Sequence, residues 1–254
     1  MDVDGDIWVY DLSRGTGIKL PKQGVGSCSY PVWAPDGRSL AFSGVPNGGS
    51  DFDLFRQAAD GHAPPELLGG LSGEDDASSF TPDGHTLIFC TFDAQARGGS
   101  AVWRLRLDSK GPPDRLSSGL LRERSPRVSP DGRLIAYQGV ASDHSDHMEI
   151  FWSKFPDMGA GIPVSGGAQP RWSEAGREIF FRRGPRFYVA PVGAGPEPSV
   201  GEPRLLFECA DIDAYDVLPD GSGLIALRGL PNAGMQSRLR LVTNWFEELR
   251  RLAP

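Results

Sequence analysis

Apolar positions in this chain fall in short runs, in which β-branched and aromatic residues dominate and polar residues alternate with them. The clearest runs lie at residues 7–10, 54–56, 102–105, 150–152, 187–189 and 239–242. This composition is typical of strands on a pleated, half-buried surface. Helical periodicity is absent before the final residues, so the pattern predicts an all-β protein.

A sequence motif built around Pro-Asp-Gly recurs between these runs. It stands at residues 33–42 (WAPDGRSLAF), 80–89 (FTPDGHTLIF) and 128–137 (VSPDGRLIAY), with a degenerate copy at 172–181 (WSEAGREIFF) and a further one at 217–227 (VLPDGSGLIAL). The turn glycines occupy positions 37, 84, 132, 176 and 221, which are separated by 47, 48, 44 and 45 residues. That period predicts a β-propeller with one repeat in each blade.

Each repeat supplies four antiparallel strands in a fixed order. The residues before Pro-Asp-Gly form the innermost strand, those after it the second, the aromatic run the third, and a weaker run the fourth. In the turn, proline fixes φ, aspartate accepts backbone hydrogen bonds, and glycine takes the positive φ. One four-stranded sheet cannot bury both of its faces, so the blades are expected to pack radially against one another.

The strand count predicts one propeller domain over residues 1–254, with five full blades and an N-terminal half blade. The expected boundaries are 1–29 for the half blade, 30–68, 77–117, 125–165, 169–207 and 212–243 for the blades, and 244–252 for a C-terminal helix. The half blade has a third and a fourth strand without the first two. Either these strands close the ring against the last blade, or half a blade lies upstream in a longer protein, which the count favours.

The C-terminal helix is predicted from residues 244–252 (NWFEELRRL), where Asn244 can cap the first turn and arginines occupy the last. Its apolar side chains form a stripe. The favoured interpretation is that this stripe packs on the propeller, and the alternative is that it docks on a partner.

Charge and composition narrow the classes of function. The formal net charge of −7 argues against broad attraction to nucleic acid or anionic lipid. Cys28, Cys90 and Cys209 lie far apart, as expected for buried small hydrophobes. No run reaches the roughly 18 apolar residues of a membrane span, and the acidic N-terminus is unlike a secretory signal. The sequence leaves two cellular compartments open for this chain. One is the bacterial cytoplasm, and the other is the periplasm if the chain is attached to an upstream anchor.

Residues 6–12 (DIWVYDL) and 31–38 (PVWAPDGR) resemble the TolB-type, WD40-like propeller repeat of bacteria, over residues 5–243. The tail at 242–254 is similar to the end of large bacterial proteins in which such a propeller follows a serine/threonine protein kinase domain or a DNA-binding regulator domain. The resemblance implies a sensor or output module of a larger signalling protein. Glu174-Ala175-Gly176 departs from the repeat and predicts an irregular blade.

Motifs that carry catalysis are absent from the sequence. It contains no Gly-x-Ser-x-Gly elbow, no phosphate-binding Gly-x-x-x-x-Gly-Lys-Ser/Thr loop, and none of the kinase signatures. We therefore expect no catalytic residues, no cofactor and no resident metal, and we expect that the chain is not an enzyme.

Two polar clusters are candidates for metal or partner binding. Asp143, His144 and His147 lie in one loop between a second and a third strand, and such side chains can hold a divalent metal. An acidic run enters an inner strand and can supply oxygen ligands to calcium. It consists of Glu74, Asp75 and Asp76. For both clusters a solvated polar surface is the favoured interpretation.

Two further sets have structural alternatives. Arg122 and Arg124 flank Glu123 one blade later, and with Arg182, Arg183 and Arg186 they can form a basic patch for an anion or an acidic partner, although ordinary surface charge is favoured. A set of tryptophans recurs at blade spacing and is expected in the core between blades. It comprises Trp8, Trp33, Trp103, Trp152 and Trp172.

The sequence thus predicts a non-catalytic binding or sensor propeller that meets a protein or a small ligand at one face of its channel. The loops on that face are expected near residues 45–52, 69–77, 92–100, 118–125, 139–147 and 208–212. The alternative is a stand-alone metal-dependent lyase or hydrolase with a site at the channel mouth, built from the two polar clusters.

Overall fold

The structure is a computed structural model of the chain. It describes residues 2–3, 5–93, 99–116, 119–120, 122–141, 147–193, 195, 197–210, 212–218 and 223–228. All of its regular elements are β-strands, and they form consecutive antiparallel sheets, as expected for a propeller. The predicted strand at 239–242 and the predicted helix at 244–252 lie outside the described residues.

The strands group into six blades, numbered I to VI along the chain. Blade I contains β1 (Asp2–Val3), β2 (Asp6–Asp11) and β3 (Thr16–Lys19). Blade II contains β4 (Val25–Trp33), β5 (Ser39–Pro46), β6 (Asp53–Ala58) and β7 (Glu66–Gly69). Blade III contains β8 (Glu74–Phe80), β9 (Thr86–Asp93), β10 (Gly99–Arg106) and β11 (Asp114–Arg115).

The second half of the chain repeats this order. Blade IV contains β12 (Arg122–Val128), β13 (Leu134–Val140), β14 (Glu149–Lys154) and β15 (Ile162–Gly166). Blade V contains β16 (Ala168–Trp172), β17 (Glu178–Arg183), β18 (Arg186–Pro191) and β19 (Arg204–Glu208). The described part of blade VI contains β20 (Ile212–Val217) and β21 (Leu224–Arg228).

Two details of blade boundaries differ from the sequence-based expectation. The inner strands begin earlier, at Val25 where the expected boundary was residue 30 and at Glu74 where it was residue 77. In blade I, β1 pairs antiparallel with β2 and so occupies the place of a second strand. In β8 the additional residues are the acids at the start of the strand, whereas β4 begins with the buried Val25.

The Pro-Asp-Gly motifs of blades II, III and IV form tight turns between the first and second strands. In blade IV the Gly132 amide donates to the Ser129 carbonyl at 2.8 Å, and Gly132 has φ of 71°. The Asp131 carboxylate accepts bonds from the Ser129 hydroxyl at 2.6 Å and the Arg133 amide at 3.1 Å. Blade V keeps the same turn around Gly176 although Ala175 replaces the aspartate.

At this turn end, each proline ring faces the turn glycine of the next blade. Pro35 lies against Gly84, Pro82 against Gly132, and Pro130 against Gly176. A Cβ atom on any of these glycines would be in van der Waals contact with that ring, and the positive φ of each glycine would be strained for any other residue. The turns therefore link neighbouring blades as well as neighbouring strands.

The hydrophobic core lies between the blades, in a separate cluster for each neighbouring pair. Leu54 of blade II meets Phe89 of blade III, and Cys90 of blade III meets Tyr137 of blade IV. Cys28 and Cys90 are buried free thiols, as expected. This arrangement is the radial packing that the repeat predicts.

The tryptophan prediction is wrong at one position. Trp152 is buried between blades IV and V, whereas Trp33 is 49% exposed. The equivalent residue of blade III, Phe80, packs into the cluster shared with blade II. Trp33 faces blade I in the same way, and the described part of blade I has no first strand to cover it.

Backbone hydrogen bonds tie each inner strand to the preceding blade. The amide nine residues before the turn glycine donates to a carbonyl just ahead of the third strand of that blade. Cys28 donates to Gly5 at 2.9 Å, Asp75 to Phe52 at 3.0 Å, and Gly167 to Met148 at 3.0 Å. Between blades III and IV a single parallel pairing takes this place. Within the described residues, no helix is long and apolar enough to span a membrane.

The turn geometry predicts opposite effects for two substitutions at equivalent positions. Asp131→Ala removes two hydrogen bonds and is expected to lower the free energy of unfolding by about 1–2 kcal/mol. Ala175→Asp supplies the missing acceptor to Ser173 and is expected to raise it by about 0.5–1 kcal/mol. Urea titrations followed by tryptophan fluorescence measure both. Equal effects in the two blades would contradict this role of the turn aspartate.

Candidate functional site

The inner strands begin at one end of the channel, which we call the channel mouth. Antiparallel order places the starts of β8 and β12 there, together with the loops that precede them. Two of the predicted sets therefore meet on adjacent inner strands. They are Glu74, Asp75 and Asp76 on β8, and Arg122 and Arg124 on β12.

The predicted cluster of Asp143, His144 and His147 lies mostly outside the described residues. Asp143 and His144 are among the residues that the structure does not describe, and His147 is exposed just before β14. Over the part of the chain that is described, no three His, Cys, Asp or Glu side chains come close enough to hold a metal ion.

Asp75 is wholly buried, so the interpretation of this residue as a solvated surface group is wrong. The Thr91 hydroxyl donates to one carboxylate oxygen at 2.5 Å, and the Leu71 amide donates to the other at 2.6 Å. Burial outweighs these bonds and raises the pKa of Asp75 to about 6. Its carboxyl group fixes the β7–β8 loop against β9.

Glu123 has the same place in the repeat as Asp75 and is also wholly buried. The Val102 amide of blade III donates to the Glu123 carboxylate at 3.3 Å, and the Ser100 hydroxyl donates to the Glu123 carbonyl at 2.8 Å. Cys28 and Gly167 stand at this position in blades II and V. Alignment of the repeats on their turn glycines is the signal that would have placed both acids between blades.

Asp76 and Arg124 follow these buried acids and lie at the channel mouth. Asp76 is half-buried, and burial raises its pKa to about 7, against the lowering effect of the nearby Arg124 charge. Arg124 is exposed, and its guanidinium lies 5.7 Å from the centre of the Phe92 ring. The mouth therefore presents opposite charges on neighbouring strands.

Ordinary surface charge was the favoured interpretation for Arg182, Arg183 and Arg186, and each of these arginines has a local partner. Arg182 donates to the Ile212 carbonyl. Arg183 donates to the Ser165 hydroxyl at 2.5 Å and to the Gly166 carbonyl. Arg186 pairs with Glu208 at 2.6 Å.

A deeper group in the channel was not predicted from the sequence. Arg171 pairs with Asp216, with 3.4 Å between its Nε and an Oδ1 atom, and its guanidinium lies over the Tyr215 ring at 5.6 Å. The Tyr215 hydroxyl donates to the Gln169 carbonyl at 2.7 Å. Arg127 stands beside Arg171. Arg127, Arg171 and Asp216 share one repeat position, five residues before the turn glycine, which is the signal that alignment of the repeats supplies.

Asp76 predicts a specific dependence of stability on pH. Because its pKa is higher in the folded chain than the value of about 4 in an unfolded chain, the folded state binds the proton more tightly. Its contribution to stability is complete below about pH 4 and is lost as the pH rises to about 7. Asp76→Asn should match the parent at pH 4 and exceed its free energy of unfolding by about 1–3 kcal/mol at pH 8.

Urea titrations of this variant at pH 4, 6 and 8 measure the effect. Asp213→Asn is the matched control, since Asp213 has the same repeat position in blade VI and is exposed. Coincident pH curves for the two variants would contradict the role of burial at Asp76.

Comparison with known proteins gives likenesses of structure. No family model matches the chain, and no curated protein is similar to it in sequence. TolB from Acinetobacter baumannii is 20% identical with a TM-score of 0.58, over 79% of this chain and 51% of that one, so the chain spans about half of its length. A putative TolB from Agrobacterium tumefaciens is 19% identical with a TM-score of 0.68, over 91% and 85%.

An enzyme has a similar structure as well. An oligogalacturonate lyase in complex with manganese is 14% identical, with a TM-score of 0.59, over 87% of this chain and 64% of that chain. At these identities the likeness concerns the fold. The repeat, the blades and the two TolB structures agree, and the chain has the fold of a TolB-type β-propeller.

Proposed function

We propose that this chain is a non-catalytic binding propeller that receives a protein segment or a small ligand at the channel mouth. The observation that carries the proposal is the fixed display of Asp76 and Arg124 on adjacent inner strands. Each follows a buried acid that is hydrogen-bonded to a neighbouring strand, so the two strand ends are held in place. A preorganised polar surface loses little conformational freedom on binding.

The charges at the mouth favour a partner with both signs of charge. Asp76 and Arg124 offer one acceptor group and one donor group on adjacent inner strands, close enough for the Arg124 charge to act on Asp76. The net charge of −7 disfavours a nucleic acid as this partner. By the similarity of its tail, we propose that the propeller is the C-terminal module of a larger bacterial signalling protein linked to a kinase.

An enzyme is the second candidate, because the oligogalacturonate lyase that binds manganese has a similar fold. In this chain a metal-dependent reaction at the mouth would draw on His147 and on the acids at the start of β8. Both carboxylate oxygens of Asp75 instead accept hydrogen bonds from the β7–β8 loop and from β9. Because these oxygens are already bonded within the protein, Asp75 favours the binding function over a metal site.

Cross-linking from the two ends of the channel tests the binding function. A photoreactive benzoylphenylalanine at Ser72 probes the mouth, and the same residue at exposed Lys110 probes the turn end. In the native host, the Ser72 probe is expected to capture a discrete partner that the Lys110 probe does not. Arg124→Glu should reduce that product several-fold, since it reverses the mouth charge. Equal capture from both ends, or no effect of Arg124→Glu, would contradict the proposal.

Metal removal separates the binding function from the metal-dependent alternative. The purified chain is expected to contain less than about one-tenth of an equivalent of transition metal, and EDTA should leave its melting temperature unchanged. Elemental analysis and a thermal melt measure the two. A stoichiometric metal together with a lower melting temperature in EDTA would favour the enzyme.

A further inference from the structure

Arg127 has a largely enclosed guanidinium that finds no ion-pair partner among the residues that the structure describes. Its Nε atom is buried and makes no hydrogen bond, and among the described residues its side chain forms no ion pair. Burial, together with the like charge of Arg171, lowers the pKa of Arg127 to about 9, which leaves the side chain charged at neutral pH. An enclosed positive charge without a partner is unfavourable, and an anion beside it would recover that cost.

The groups around Arg127 place it in the central channel. The charged or titratable groups that act on Arg127 come from three other blades: Cys90 from blade III, Arg171 from blade V, and Tyr215 and Asp216 from blade VI. Within a propeller, groups of non-adjacent blades approach one another only around the axis. The Arg127 guanidinium therefore faces the space into which a ligand from the mouth would pass.

The charge of this group leaves room for one negative charge. Arg127 and Arg171 contribute two positive charges, and Asp216 contributes one negative charge next to Arg171. Burial raises the pKa of the Cys90 thiol and of the Tyr215 hydroxyl, so both are neutral at pH 7. Arg127, Arg171 and Asp216 together carry a net charge of +1, and Arg182, which also acts on Tyr215 and donates to the Ile212 carbonyl, adds a further positive charge. A negative charge beside Arg127 is therefore favourable.

The mouth and this group lie on one face of β12. Arg124 pairs with Gln138 and Arg127 with Ala136, with a bulge between the two pairs. Residues two apart on a strand share a face and lie about 7 Å apart, so Arg127 sits about 7 Å below Arg124. A segment held at the mouth can reach Arg127 with one side chain or with its terminus.

We propose that the channel between Arg127 and Arg171 binds one carboxylate of the partner that enters at the mouth. A carboxylate is planar and singly charged, and a guanidinium can hold both of its oxygens. This inference rests on the proposed function and adds the chemistry of the ligand. Two sources carry that chemistry, a C-terminal carboxylate and an acidic side chain.

Titration of the full chain with acetate tests the site. With ¹⁵N-labelled arginine, the Nε–H resonance of Arg127 is assigned by its loss in Arg127→Gln. Acetate at constant ionic strength is expected to shift this resonance saturably, and inorganic phosphate should bind no more tightly. Arg127→Gln should weaken acetate binding, followed by calorimetry, at least tenfold. Arg38→Gln, at the turn end, should leave it unchanged.

A second variant and a pair of peptides complete the test of the carboxylate site. If Arg127→Gln fails to fold, Arg127→Lys replaces it, since it keeps the charge but loses the two-point contact and should still weaken acetate binding several-fold. Short peptides with either a free C-terminal carboxylate or one internal glutamate and an amidated end identify the source. The site is supported if either of these peptides binds more strongly than the same peptide without its carboxylate.

Three results would overturn the site: no saturable shift with acetate, equal acetate affinity in the parent and Arg127→Gln, or tighter binding of phosphate than of acetate. These results leave the proposed function standing if the Ser72 probe still captures its partner and Arg124→Glu still reduces the product. Loss of that capture with acetate binding intact would instead contradict the partner at the mouth.

Discussion

The structure depends on a hydrogen bond that recurs in blades II, III and V, from the amide nine residues before the turn glycine to a carbonyl of the preceding blade. Cys28, Asp75 and Gly167 donate it. It fixes where these inner strands begin, and so it fixes which of their side chains line the channel mouth. The hydrophobic clusters between blades supply most of the stabilisation.

The same repeat position serves stability and function together. Its side chain points between blades, and in blades III and IV it is an acid, Asp75 or Glu123, that bonds to neighbouring backbone. The next residue along the strand, Asp76 or Arg124, points to the mouth. The buried acids Asp75 and Glu123 therefore hold Asp76 and Arg124 in a defined register. The proposed binding surface is rigid because the hydrogen bonds of the fold fix the strands that carry it.

The fold could be predicted because each repeat contains its own turn, marked by residues such as Asp131 and Gly132, and its own strand runs. The charged residues of β8 and β12 at the channel mouth were also predicted from the sequence, since they are polar residues at equivalent positions of two repeats. The burial of Asp75 and the isolation of Arg127 could not be read from runs of residues. The burial of Asp75 depends on how β9 and the β7–β8 loop fold over the start of β8. The position of Arg127 depends on groups of blades V and VI, which lie far from it in sequence.

The contacts between each turn proline and the next turn glycine separate the two ends of the propeller. The mouth is held in a different way, because the Phe52 carbonyl accepts the Asp75 amide and the Leu71 amide donates to the Asp75 carboxylate. Residues 48–51 contribute to neither bond. A designer could therefore graft a new recognition loop at 48–51 and leave Phe52, residues 69–73 and the turn end unchanged.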